Sequence, residues 1–92
     1  MLYLMNSGFL KEESRRLAEL TRGMADAERV SDLILRTMSR PATQRDIEQA
    51  RQFVSDFRGG LARKGFDGDV ELEAWARYCH ALFASSEFLY RR

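Results

Sequence analysis

The residue pair with the most obvious chemical potential is Cys79-His80, a thiol beside an imidazole. A covalent haem site needs Cys-x-x-Cys-His, so that two thioethers and an axial imidazole reach one porphyrin. The position three before Cys79 is Ala76, and that site is absent. A thiol–imidazole nucleophile needs the two side chains to converge, whereas adjacent residues of a helix project about 100° apart. Cys79 falls at the centre of an apolar stripe, where a thiol is usually inert. His80 falls at the edge of that stripe, a place for a ring that bonds a backbone carbonyl. Both read as packing residues.

The acidic run Asp67-Gly68-Asp69-Val70-Glu71-Leu72-Glu73 invites a calcium reading. An EF-hand loop requires glycine at its sixth position and a bidentate glutamate at its twelfth. Counted from Asp67, those positions hold Leu72 and Tyr78. A helix start with acids in its first turns accounts for the run, because the helix dipole favours negative charge there. The carboxylates Glu12-Glu13 and Glu71 with Glu73 read as solvated faces. No glycine-rich phosphate loop, zinc spacing or nucleophile elbow occurs. Phe53, Phe57, Trp75, Phe83 and Phe88 recur at core spacing rather than as a cofactor box. The chain is therefore expected to have no catalytic residue, metal or cofactor of its own, and it shows no evident small-molecule ligand.

The elements that would position these residues are helical. Ninety-two residues suit one domain with a modest core. A hydrophobic fraction of 45% and a charged fraction of 32% are those of a globular chain. A net charge of +1, with acids and bases interspersed, argues against an electrostatic nucleic-acid binder. One cysteine rules out an internal disulfide, and no stretch approaches the roughly 20 apolar residues of a membrane span. The opening Met1 to Met5 is too short for a signal peptide and has no basic flank before it.

Four helical segments account for most of the chain. The first follows the capping residues Asn6-Ser7, carries Phe9, Leu10, Leu17, Ala18 and Leu20 on its apolar side, and stops at Gly23. The second is capped by Asp26, buries Val30, Leu33, Ile34, Thr37 and Met38, and ends before Pro41 with Arg36 and Arg40 in its last turn. Thr43-Gln44-Arg45-Asp46 opens the third as a variant capping box, with Ile47, Ala50, Val54, Phe57 and Leu61 inward and Gly59-Gly60 weakening its far end. After a turn rich in glycine and aspartate, the last starts near Asp69 and carries Leu72, Trp75, Ala76, Cys79, Leu82 and Phe83. The tail Ser85-Ser86-Glu87-Phe88-Leu89-Tyr90 follows it. No segment alternates as a strand does. The expected fold is all-α: a compact bundle of about four helices with a short C-terminal helical tail.

Two patches remain. Met1 to Met5 is apolar with no polar face of its own, so it either packs back on this core or meets another chain or a further part of this one. Glu87, set among apolar neighbours, needs a partner, and Arg40 or Arg36 is the expected one.

Three blocks carry a resemblance. Leu4-Met5-Asn6-Ser7-Gly8-Phe9 is followed by Leu35-Arg36-Thr37-Met38-Ser39-Arg40-Pro41-Ala42-Thr43 with Asp46. Then comes Trp75-Ala76-Arg77-Tyr78-Cys79-His80-Ala81-Leu82-Phe83, running into Ser86-Glu87-Phe88-Leu89-Tyr90. In that order they resemble the C-terminal end of the large planctomycete proteins of unknown function that often carry a cytochrome-c-like haem domain nearer their N-termini. The final block is the most specific. Departures are Gly8 before Phe9, Asp46 in place of a glutamate, and Ala84-Ser85-Ser86 in place of a version containing asparagine.

The resemblance implies a single helical domain, residues 1–92, at the C-terminal end of a larger exported protein with haem held elsewhere in that chain. It supplies no catalytic residues. Arg40, Pro41, Trp75, Glu87, Phe88 and Tyr90 are expected to hold the fold. The leading expectation is a structural packing domain whose partner is the remainder of a parent chain. The alternative is a protein–protein interaction or self-association module using the Met1–Met5 end.

Overall fold

The last helix is the most apolar of the four and its apolar residues are not confined to one face, and a helix of that kind is stable only when other elements surround it. The computed structural model, which describes residues 7–90 and the side chains of residues 8–85, places it at the centre of the fold. The order is α1 (Ser7–Leu20), α2 (Asp26–Met38), α3 (Gln44–Arg63) and α4 (Val70–Tyr90), with no strand among the described residues. Helix α1 packs chiefly on α4, while α2 and α3 pack on α4 and on each other. The all-α reading and the four helices hold. The tail is the direct continuation of α4, whose backbone runs helical to Tyr90.

The core takes Leu17 and Ala18 from α1, Val30, Leu33 and Ile34 from α2, and Ala50 and Val54 from α3. Leu72, Ala74, Trp75, Ala76, Tyr78, Cys79 and Leu82 come from α4. Ala74 and Tyr78 belong to no single stripe, and their burial is the direct mark of a helix enclosed on several sides. Phe9 and Leu20, assigned inward by periodicity, are instead about half exposed. Two polar residues are buried instead, Ser14 on α1 and Thr21 in the turn that follows it. Helix α3 buries less than its stripe implies: Ala50 and Val54 are buried, while Ile47, Phe57 and Leu61 are only partly covered.

The turns follow local chemistry. Gly23, at φ 92°, closes the α1–α2 connection in the left-handed region. Helix α2 begins one residue earlier than an Asp26 cap requires: its N-cap is Ala25, with no side-chain bond, and Asp26 is the first helical residue. Helix α2 also stops at Met38, two residues short of Arg40. Ser39 adopts the left-handed conformation at φ 56° and its N–H bonds Leu35 O. Pro41 therefore lies just past a helix that has already ended. The capping box on α3 is complete, with Thr43 and Asp46 each accepting from the other's backbone N–H. Gly59-Gly60 is carried within α3, which continues to Arg63.

Candidate functional site

Cys79 has no exposed surface, and burial pushes its thiol up to about 12 against the opposing pull of Arg29. A thiol held in the protonated state is a poor nucleophile. His80 is half-buried on an adjacent side of α4. Among the described residues, no group of three or more His, Cys, Asp and Glu side chains is placed to hold a metal ion, and no helix is long and apolar enough to cross a membrane.

The acidic run is dispersed to separate tasks. Asp69 caps α4, its Oδ1 accepting from the Leu72 N–H at 3.1 Å, and it pairs with Arg22 across the α1–α2 turn. Glu71 accepts from Trp75 Nε1 at 2.9 Å and from Arg58 Nη1 of α3 at 2.7 Å. Partial burial raises its pKa, but these two donors outweigh that and leave it below the ordinary value. Glu73 accepts from Arg77 Nε at 3.1 Å and lies 3.6 Å from Arg15 of α1.

Trp75 sits at the middle of the core with 1% of its surface exposed. Tyr78 meets it edge-on at 5.8 Å between ring centroids. Over its face lies Arg29 of α2, itself only 5% exposed, with the guanidinium carbon 4.3 Å from the ring centroid. Arg29 Nε donates to Thr21 Oγ1 at 3.0 Å, and Nη2 donates to Ala18 O at 2.7 Å. The last carbonyls of a helix lack ladder partners. Here the Arg22 N–H turns to Glu19 O, and Ala18 O is taken up by the arginine instead. Arg29 thus caps α1 from α2, where a cation also suits the helix dipole.

Among the described residues its charge meets a carbonyl, a hydroxyl and a ring face rather than a carboxylate. Desolvation lowers its pKa, though a guanidinium stays charged. Sequence reasoning passed over Arg29. The signal was its register: it precedes Leu33 and Thr37 by four and eight residues, in phase with the apolar stripe.

Arg40 lies beyond the end of α2, in the α2–α3 connection. Its Nη1 donates to Asp46 Oδ2 at 2.7 Å and to Pro41 O at 3.0 Å, and its Nη2 to Asp46 Oδ1 at 3.2 Å. Arg40, Pro41, Thr43 and Asp46 thereby form one corner that fixes α3 to the end of α2. Arg36 pairs with Asp32 within α2. The expected partnership of Glu87 with Arg40 or Arg36 involves a side chain outside the described residues, as do the roles of Phe88 and Tyr90. The Met1–Met5 end also lies outside them.

A cleft of about 350 Å³ lies between α1 and α4. Gly8, Lys11, Ser14 and Arg15 line it from α1, and Glu73, Ala76, Arg77 and His80 from α4. These are the i, i+3/i+4, i+7 faces of both helices, so two rows of side chains confront each other. A second, apolar groove of about 290 Å³ lies along α3, where the stacked rings of Phe53 and Phe57 are 6.0 Å apart beside Leu61.

Fold and site together define a small all-α domain organised around one central helix, with a cleft bordered by charged side chains on one side of that helix. No family model, curated protein or solved structure matches the chain.

Proposed function

We propose that this chain is a structural packing domain of a larger exported protein, with no chemistry of its own. The observation that carries this reading is the arrangement around Trp75. The residues richest in chemical potential are spent there on joining helices: Arg29 on α1, Glu71 on α3, and Cys79 within the core. The Arg40–Asp46 corner does the same at the surface. Such a role accords with the resemblance to the C-terminal end of the haem-bearing planctomycete proteins, in which this domain would close the chain and pack on what precedes it.

The test is the solution behaviour of the isolated chain, by light scattering and thermal unfolding across a wide concentration range. A concentration-independent monomer with one cooperative transition supports a self-sufficient structural domain. Loss of cooperative unfolding in the isolated chain counts against it.

A second reading, self-association, is favoured by Leu20 and Leu35, each more than half exposed. It predicts a mass that rises with concentration and falls when Met1–Met5 is deleted.

A further inference from the structure

A buried hydroxyl in a helix has a ready partner in the carbonyl four residues back. Thr21 and Thr37 both take it, Thr21 Oγ1 donating to Leu17 O at 2.9 Å and Thr37 Oγ1 to Leu33 O at 2.8 Å. Ser14, 2% exposed, does not: among the described residues its Oγ has no hydrogen-bond partner. An orphaned buried hydroxyl is destabilising, and alanine at this site would remove the penalty without leaving a cavity of any size. A destabilising group that lines a cleft is the kind of feature a ligand explains.

The charges around Ser14 specify that ligand. Lys11 and Arg15 approach from α1 and Arg77 from α4, three cations around one carboxylate, Glu73. Glu73 lies between the two arginines, 3.6 Å from Arg15 and 3.1 Å from Arg77, so it orients both guanidiniums while cancelling only part of their charge. The cleft is left with a surplus of positive charge: Lys11 faces no carboxylate among the described residues, and Arg15 and Arg77 share Glu73, with the Arg77 guanidinium also resting 5.4 Å from the centroid of the Phe57 ring, beside the small apolar surfaces of Gly8 and Ala76. Its volume suits a small molecule. Guanidinium forks match planar or tetrahedral oxyanions, and a hydroxyl adds a further donor.

We propose that the α1–α4 cleft binds a small organic oxyanion, a carboxylate or a phosphate ester, held by Arg15, Arg77 and Lys11 with Ser14 Oγ donating from the floor. This goes beyond the packing role, since the cleft lies on the opposite side of α4's polar rim from the Arg58–Glu71 link and takes no part in the Trp75 cluster.

The test is titration of the full chain with sodium acetate, sodium phosphate and sodium chloride at matched ionic strength, followed by amide NMR shifts. Saturable shifts confined to residues around Lys11, Ser14, Arg15, Arg77 and His80 with acetate or phosphate, and absent with chloride, support the site. Acetate and phosphate separate the carboxylate from the phosphate chemistry. Arg15→Gln should weaken binding about tenfold, as loss of a charge-assisted contact does. Ser14→Ala should weaken it while leaving the melting temperature equal or higher, a pairing that a purely structural role for Ser14 cannot produce. Equal shifts with chloride, shifts that never saturate, or undiminished binding in both variants would overturn the proposal.

Discussion

Arg29 holds its guanidinium carbon 4.3 Å from the centroid of the Trp75 ring while its Nη2 donates to Ala18 O at 2.7 Å. One side chain thus joins three helices: it springs from α2, closes the free end of α1 and covers the central aromatic of α4. Arg29→Met keeps the aliphatic stem but leaves Ala18 O with only the long 3.4 Å contact from Thr21 Oγ1. That substitution should lower the unfolding free energy by about 1–3 kcal/mol, the usual range for losing a charged donor to a buried acceptor. Arg29→Lys should recover part of the loss, since a compact ammonium neither lies flat on the ring nor forks between two acceptors. Urea unfolding followed by tryptophan fluorescence reads both variants, and an Arg29→Met midpoint equal to that of the parent would remove the capping role.

Trp75 fills the volume on which α2 and α4 close, so its removal leaves a cavity that four short helices can only partly collapse. Trp75→Ala should cost about 3–5 kcal/mol, a large share of the stability available to a domain of this size. Trp75→Phe keeps most of the apolar area and loses the bond to Glu71, and it should fall between the two. Thermal unfolding by circular dichroism orders the three proteins, and an unchanged melting temperature for Trp75→Ala would contradict the packing role.

How far the fold was legible depended on whether a feature was local. The Thr43–Asp46 capping box, the stop near Gly23 and the Val30–Leu33–Ile34 stripe are set by neighbours within four residues, and all three are present. Phe9 and Leu20 went astray because periodicity gives the direction of a face, whereas burial depends on whether another element covers that end of it. Helix α4 was read as one stripe when it is enclosed on several sides, which explains why the buried Ala74 and Tyr78 escaped notice. Of the cleft residues, the sequence places Glu73 on a solvated face and gives Lys11, Arg15 and Arg77 no role, as each helix taken alone implies. Only the pairing of α1 with α4 brings their rows together, and no local pattern encodes that pairing.

The corner after α2 carries a pH dependence of defined sign. The Arg40 guanidinium, assisted by the N–H and hydroxyl of Thr43, holds the Asp46 carboxyl at about 2 against an ordinary 3.8. As pH falls below about 4 the unfolded chain takes up this proton while the folded chain does not. The stabilisation present at neutral pH is therefore lost progressively from about pH 4 to about pH 2. Asp46→Asn should be less stable than the parent at neutral pH, and the gap between the two should narrow across that window. Urea midpoints measured from pH 6 to pH 2 check the trend, and a constant gap would assign the acid response to other carboxylates.

Ser39 ends α2 at φ 56° and ψ 36°, a conformation that crowds any side chain with a Cβ. Ser39→Gly should remove that strain and, after allowing for the looser unfolded chain, raise stability by up to about 1 kcal/mol. Its Leu35 O bond is made by the backbone N–H and survives the change. The measurement is the shift in urea midpoint, and a loss of stability would mean that the serine side chain contributes more than its backbone conformation costs.

Cys79 turns the strength of this core into a chemical readout. Burial outweighs the nearby Arg29 cation and keeps the thiol protonated up to about pH 12, so a disulfide reagent at pH 8 should reach it only when the core opens. Under those conditions the labelling rate follows the population of the open state. Arg29→Met acts on that rate in two opposed ways: loss of the cation disfavours the thiolate in the closed state, while loss of the α1 cap favours opening. Since the closed state contributes almost no reaction, opening decides the outcome. A destabilisation of about 1.4 kcal/mol should then speed labelling about tenfold. Stopped-flow labelling of both proteins over a series of urea concentrations checks this, and rapid urea-independent labelling of the parent would show that the thiol is reached in the closed fold.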